Sequence, residues 1–252
     1  MLEVCVDSFE SVKAAVEGGA NRIELCSALS EGGLTPSVGL LKIVKSHFPE
    51  TKVFAMLRPH GKISYDYTDT DMEIIIKDMN ALIENKVDGF VFGALTADRH
   101  IDIKKCGQIF EYASGLPVTF HRAFDMAVPE FKYEHLSMIA ACGFDRLLTS
   151  GFAETAELGL DELIDIKKYI DEKQYNLIVM PGCGITISNA EKILQTTGCK
   201  EFHASAKTKI VENIPSHSTD TSAIKREIQN NSYAATNCEI VRQLVAIGKK
   251  YL

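Results

Sequence analysis

Short runs of β-branched and apolar residues alternate along the chain with longer runs whose apolar positions recur at helical spacing. The short runs predict strands at residues 2–6, 22–26, 52–57, 89–93, 117–121, 146–150, 177–181 and 201–205. The longer runs predict helices at residues 9–17, 38–47, 72–85, 103–112, 131–141, 160–170, 187–194 and 238–252. Polar capping residues before the helices and glycines after them support these boundaries.

A strand, loop, helix and turn thus repeat eight times, at about 30 residues per unit, which is typical of a parallel barrel. The predicted fold class is α/β, a (β/α)8 TIM barrel, with residues 1–252 forming a single domain. An open doubly wound sheet is the alternative, and it usually carries a GxGxxG turn after its first strand. Here Asp7, Ser8 and Phe9 follow the first strand, so we favour the barrel.

One segment interrupts this rhythm between the eighth strand and the last helix. Residues 207–237 are polar and poor in large apolar side chains. Long loops of this kind are either functional or flexible. We keep three interpretations open: a lid, an arm that contacts another subunit, or a disordered loop.

Charge and cysteine content narrow the function classes. The net charge of −7 and the absence of clustered cations argue against a nucleic-acid partner. No apolar run is long enough for a membrane span, and we recognise no signal peptide. The seven cysteines form no CxxC motif and their number is odd, which indicates free thiols in a reducing compartment, and we expect a cytoplasmic location.

Strand alternation places ionisable side chains inside the predicted barrel. Glu3, Arg22 and Glu201 fall near strand beginnings, and we interpret them as a buried ion-pair network at the barrel floor. A second set falls near strand ends, which meet at the barrel mouth where active sites lie. This set consists of Cys5, Glu24, Cys26, Arg58, His121 and His203.

Several of these residues are candidate catalytic groups: Glu24, Arg58, His121, Arg122, Asp125 and His203. Glu24 or His121 could act as general base, and Arg58 or Arg122 could stabilise negative charge. The alternatives are structural. Glu24 could simply pair with Arg58, and a lone His203 could be a satisfied core histidine.

Cys5 and Cys26 end two neighbouring strands with the same pattern, Leu-Glu-Val-Cys and Ile-Glu-Leu-Cys. Two thiolates on adjacent strand ends can hold a soft ion such as Cu(I). Barrel stagger could offset them, and each alone could be a small buried hydrophobe.

Glycines after the seventh strand predict an anion site. Gly182 and Gly184 lead into a helix, whose backbone N–H groups could face an anion, and Ser205 would form the opposite wall. Two glycines that make a tight turn are the alternative.

Taken together, these runs resemble the CutC copper homeostasis family. The matching stretches are EVCVDS, GGANRIELCSALSEGGLTPS, RPHG, DGFVFGAL, PVTFHRAFD, LLTSG, PGCGI and EFHAS. The resemblance implies a barrel that handles copper in the cytoplasm, with Cys5 and Cys26 at the positions proposed for Cu(I). It also implies a homo-oligomer, with a dimer expected.

Three functional hypotheses follow: a copper-binding homeostasis protein, an enzyme acting on a small phosphorylated or carboxylated metabolite, and a scaffold that acts through residues 207–237. The expected partner is a copper ion or a small anionic metabolite.

Overall fold

The computed structural model describes residues 1–211 and 232–252, and eight parallel strands dominate it. They are β1 Leu2–Val6, β2 Arg22–Leu25, β3 Val53–Met56, β4 Gly89–Phe92, β5 Val118–Phe120, β6 Arg146–Thr149, β7 Ile178–Pro181 and β8 Phe202–Ala204. The first and last residues of each predicted strand lie within two residues of those of the observed strand.

Helices follow the strands in alternation. They are α1 Phe9–Glu17, α2 Val38–His47, α3 Asp69–Glu84, α4 Ile103–Tyr112, α5 Lys132–Cys142, α6 Leu160–Lys173, α7 Ala190–Thr197 and α8 Cys238–Lys249. Short 3-10 helices lie at Leu29–Glu31, Phe124–Met126 and Pro129–Phe131. None of the described helices combines the length and apolar character that a bilayer span requires.

The strands are ordered β7-β6-β5-β4-β3-β2-β1-β8, with parallel pairing at each step. The sheet curls into a nearly closed barrel, so the predicted TIM-barrel fold is confirmed. At the seam, Gly182 directly follows β7 and packs against β8, since a Cβ added there would lie 3.2 Å from His203 Cβ. The strand ends therefore converge at one mouth.

Alternate strand residues divide between two environments. Val4, Ile23, Val118 and Phe202 belong to the large apolar core of the barrel. A separate cluster contains Cys26, Phe54, Met56 and Val91, from β3, β4 and the end of β2. The charged residues of β1, β2, β6 and β8 occupy the remaining positions, where they build the floor and the mouth.

The stem of a hairpin occupies both ends of the 207–237 segment. β9, Lys207–Val211, pairs antiparallel with β10, Ser232–Thr236. The backbone N–H of Thr236 donates to Ser11 Oγ at 3.3 Å, which fastens this stem to α1. The polar sequence gave no alternation that would predict these strands. The rest of the segment lies outside the described residues, so its three interpretations stay predictions.

Candidate functional site at the barrel mouth

A buried ion network forms the barrel floor, as the sequence predicts. The Arg22 guanidinium pairs with Glu3 and donates to Glu201 at 2.8 Å. Arg146 Nε donates to the same Glu201 at 2.9 Å. Both guanidinium groups lie over the Phe54 ring, at 4.9 and 5.4 Å from its centroid. These contacts compensate charges that would be costly to bury alone.

Directly above the floor, Cys5, Glu24 and His203 come together from three strands. Their nearest ligand atoms, a sulfur, a carboxylate oxygen and an imidazole nitrogen, all lie within 4.8 Å of one another. The strand register explains why these three residues are close together. Cys5 pairs with Glu24 on β2, while Glu3 pairs with His203 on β8 at the other side of β1. The structure thus unites two predicted catalytic residues with one predicted metal ligand.

Hydrogen bonds fix the orientation of the His203 ring. Nδ1 lies 2.8 Å from Glu3 Oε1, so Nε2 faces the mouth, 3.8 Å from Glu24 Oε2. Glu3 is itself held by Arg22. A carboxylate behind a histidine is the usual support of a metal-binding imidazole.

Burial and neighbouring charges shift the pKa values of this cluster. Burial favours a neutral Glu3, but Arg22 and His203 outweigh it and lower the pKa of that carboxyl to about 2. Burial raises the pKa of Glu24 despite the nearby His203. For His203, burial opposes the charged ring, yet Cys5 and Glu24 raise its pKa well above the ordinary value. These acidic neighbours favour a proton on the His203 ring, and an ion that binds Nε2 would have to displace it.

Cys26 is not one of these three converging residues, although its thiol contacts Glu24. The register aligns Glu3 with Arg22, which avoids placing Glu3 beside Glu24, and Cys5 consequently faces Glu24 and not Cys26. Cys26 Sγ is 3.6 Å from Glu24 Oε2 and is fully buried among Phe54, Met56 and Val91. Burial, with the Glu24 charge, raises the pKa of its thiol well above the usual range. A site with both thiols stays a prediction, since Cys26 would have to reorient and lose its proton.

A large cavity opens above the cluster, with a volume of about 780 Å³. Eight predicted site residues line it: Cys5, Glu24, Arg58, His121, Arg122, Gly184, His203 and Ser205. Cys26, Asp125 and Gly182 are outside this lining. Tyr65 lines it too, although it lies in a stretch without strand or helix periodicity, so no sequence signal singled it out.

Arg58 does not pair with Glu24, contrary to the structural alternative for Glu24. Its Nη1 donates to the carbonyls of Glu31 and Gly33, at 2.6 and 3.2 Å. Its Nη2 donates to the Lys62 carbonyl at 3.2 Å. The guanidinium also lies 5.2 Å from the centroid of the Tyr65 ring. Within the described part of the chain, no carboxylate forms an ion pair with Arg58.

Asp125 holds Arg122 in place. It accepts from Arg122 Nε at 2.9 Å, from Thr149 Oγ1, and from the backbone N–H groups of Ser150 and Phe152. Ser150 Oγ also accepts from Arg122 Nη2 at 3.0 Å. With its oxygens engaged in this way, Asp125 fits a positioning role better than direct contact with a ligand.

The strand 7 loop serves packing as well as the cavity. Gly182 lies so close to Leu148 that a Cβ there would be 2.4 Å from Leu148 Cδ1, which explains this glycine without an anion. Gly184 has a φ of +70°, and Cys183 adopts +73°, a region that favours glycine. The Cys183 thiol donates to the Glu154 carbonyl at 3.1 Å. The anion site at Gly182, Gly184 and Ser205 stays a prediction.

His121 is buried and neutral, and this should make stability depend on pH. Burial, assisted by the Arg58 charge, lowers its pKa from 6.5 to about 3. Between pH 7 and pH 5 the unfolded chain binds a proton that the folded protein does not, so this histidine should cost about 2 kcal/mol of stability. In His121→Asn the amide oxygen can replace Nδ1 as the acceptor for the Ala123 N–H.

We expect urea unfolding at a series of pH values to show a weaker acid loss in His121→Asn than in the parent. His47→Asn, at an exposed position, is the matched control. Parallel curves for His121→Asn and the parent would mean that His121 titrates alike in both states.

Comparison with known proteins places the chain in one family. The model of the CutC family matches residues 1–208. A Drosophila melanogaster protein named copper homeostasis protein cutC homolog is 46% identical over 253 residues, covering 98% of this chain and 94% of that protein. The human protein of the same name is 41% identical, covering 100% of this chain and 90% of its own length.

Solved structures agree on the fold. A CutC protein from Streptococcus agalactiae is 29% identical, with a TM-score of 0.76 over 81% of this chain and 98% of that one. Thiamine phosphate pyrophosphorylase from Pyrococcus furiosus, at 17% identity and a TM-score of 0.58, shares the barrel alone, covering 100% of this chain and 96% of that one. The match of the family model and the identity to these relatives agree: the chain belongs to the CutC family.

Proposed function

We propose that the protein takes part in copper homeostasis by holding Cu(I) at Cys5, His203 and Glu24. The observation that carries this proposal is the approach of a sulfur, an imidazole nitrogen and a carboxylate oxygen to within 4.8 Å at the cavity. Ligand bonds of about 2.0–2.3 Å allow one ion to bridge atoms at nearly this spacing. The names of the curated relatives support copper as the cargo.

The ligand chemistry favours a soft ion. Thiolate and imidazole together suit Cu(I), whereas magnesium and calcium prefer oxygen ligands alone. Cys5 would supply the thiolate and His203 Nε2 the imidazole, while Glu3 holds Nδ1. Glu24 would lie beside the ion as a weaker oxygen ligand. The hypothesis of an enzyme rests on the candidate acid-base and arginine residues that line the cavity, and a binding protein can present the same residues.

Cys5→Ser should weaken Cu(I) binding by at least about 100-fold, because loss of even an outer partner typically costs 10–100-fold. Cys26→Ser should leave the affinity within a few-fold, since its sulfur lies outside the cluster. The measurement is competition for Cu(I) against a chromophoric chelator under anaerobic conditions.

Cys142→Ser is the matched control, because this thiol is on α5, outside the cavity lining. Unchanged affinity in Cys5→Ser would refute the proposal. Equal losses in Cys5→Ser and Cys26→Ser would support the site with both thiols that the sequence predicts.

Location and assembly complete the proposal. All seven cysteines are free, which supports a reducing compartment, and we propose the cytoplasm. A homo-oligomer, which the family resemblance implies, is tested by light scattering on the purified protein.

A further inference from the structure

We infer that the basic side of the cavity binds a small molecule that carries a carboxylate group and an apolar body. Arg58, His121 and Arg122 all line the cavity, and we call these three residues its basic side. The inference goes beyond copper binding and does not depend on it.

Arg58 places a buried positive charge on the wall of the cavity. Its side chain lines the cavity with only 2% of the residue exposed. Its charge faces three carbonyl oxygens and an aromatic ring, and its Nε has no hydrogen-bond partner. A buried cation without a counter-ion is unfavourable, and a bound carboxylate would neutralise it.

His121 adds a neutral donor beside this charge. Its Nδ1 accepts from the Ala123 N–H at 3.2 Å, so the ring proton is on Nε2. That Nε2 is buried without a partner, on a ring that lines the cavity. The Tyr65 ring lies 4.9 Å from His121 and also beneath Arg58, so the two donors share one aromatic support.

Two of the three guanidinium nitrogens of Arg122 form hydrogen bonds that hold the group in place. Asp125 and Ser150 engage Nε and Nη2. Nη1 has no hydrogen-bond partner in residues 1–211 and 232–252, and 38% of the side chain is exposed at the mouth. A guanidinium that is fixed before binding loses little entropy when it meets a carboxylate.

The size and walls of the cavity define the rest of the ligand. A metal ion would fill a small fraction of about 780 Å³, whereas pockets of 300–1,000 Å³ are typical for small organic molecules. Much of the wall is apolar: Leu29, Met56, Leu148, Ile185, Ile187 and Ile240. A ligand whose carboxylate binds the arginines and whose hydrocarbon body lies along this wall would contact both surfaces.

The test uses metal-free protein and straight-chain monocarboxylates from acetate to octanoate, with the alcohols of equal length as neutral partners. Binding is followed by the NMR signals of ¹⁵N-labelled arginine side chains and by calorimetry. We expect saturable shifts with a Kd of about 1 mM or tighter for the longer acids. Affinity should rise with chain length, and the alcohols should bind at least tenfold more weakly.

Arg122→Gln should weaken the acids at least tenfold and leave the Cu(I) affinity unchanged. Arg242→Gln, at an exposed position on α8, is the matched control. Absence of saturable shifts for every acid, equal binding of acids and alcohols, or binding of inorganic phosphate in preference to the acids would each overturn the inference. Loss of Cu(I) binding in Cys5→Ser with intact octanoate binding separates the two sites.

Discussion

Arg22→Met should lower the free energy of unfolding by about 3 kcal/mol at pH 7. The Arg22 side chain is 8% exposed and joins Glu3 and Glu201 across the barrel floor. Methionine fills similar space but leaves the Glu3 carboxylate buried with His203 as its remaining partner. Glu201 keeps Arg146, so the loss falls mainly on Glu3.

The pH dependence of the stability loss in Arg22→Met shows whether the loss comes from the buried Glu3 carboxylate. In the parent, the pKa of Glu3 is lowered from 4.5 to about 2, so its contribution is present above pH 4.5 and is lost as the pH falls toward 2. Without Arg22 the ionised Glu3 carboxyl stabilises the fold less. The difference in the free energy of unfolding between Arg22→Met and the parent should therefore become smaller in acid. Urea unfolding at pH 7 and pH 3 measures the loss and its narrowing in acid.

Two further variants complete the Arg22 experiment. Arg242→Met, on an exposed ion pair, should change stability by less than about 0.5 kcal/mol. Adding Glu3→Gln to Arg22→Met should recover part of the loss, because the two residues act as a pair. A loss of 3 kcal/mol that is unchanged in acid would assign it to packing and not to Glu3.

Among substitutions of a glycine by alanine, Gly159→Ala should lower the free energy of unfolding the most. A Cβ at this position would lie 1.9 Å from the Ser150 carbonyl oxygen and 3.1 Å from that of Gly151. Both neighbours are backbone atoms, so the loop after β6 must move as a whole. We expect a loss of about 3 kcal/mol, at the upper end of the usual cost of overpacking.

Gly107→Ala is the matched control for this effect. Gly107 is inside α4 and has no atom within 4 Å of the added Cβ, so alanine should raise stability by about 0.5–1 kcal/mol. Because Ser150 contacts both Arg122 and Asp125, Gly159→Ala should also loosen Arg122. Thermal unfolding of both variants measures the stability, and equal melting temperatures would contradict the clash.

The strand and helix pattern was predictable because periodicity is a local property of the sequence. β1 and α1 have the predicted bounds, and α3 begins three residues before the predicted Met72 because Thr68 and Asp71 form its capping box. The inward side of each strand follows from the same alternation. This was enough to place Cys5, Glu24 and His203 at one mouth.

Contacts between strands were not predictable in the same way. The repeated pattern on β1 and β2 suggests Cys5 beside Cys26, but the register depends on which charges the assembled barrel can pair. Aligning Glu3 with Arg22 moves Cys26 two residues beyond the partner of Cys5. Tyr65 also escaped prediction, because a loop side chain acquires its role only from Arg58 and His121 around it.

The pairing of β1 with β8 also dictates when the site can exist. Glu3 and His203 touch across a separation of 200 residues, so the first and last strands of the barrel supply the same cluster. A nascent chain carries Cys5 and Glu24 without their His203 partner until β8 has been synthesised and has paired with β1. An ion that needs all three residues is therefore bound only after β1 and β8 have paired, and it cannot guide the folding of the strands made before β8.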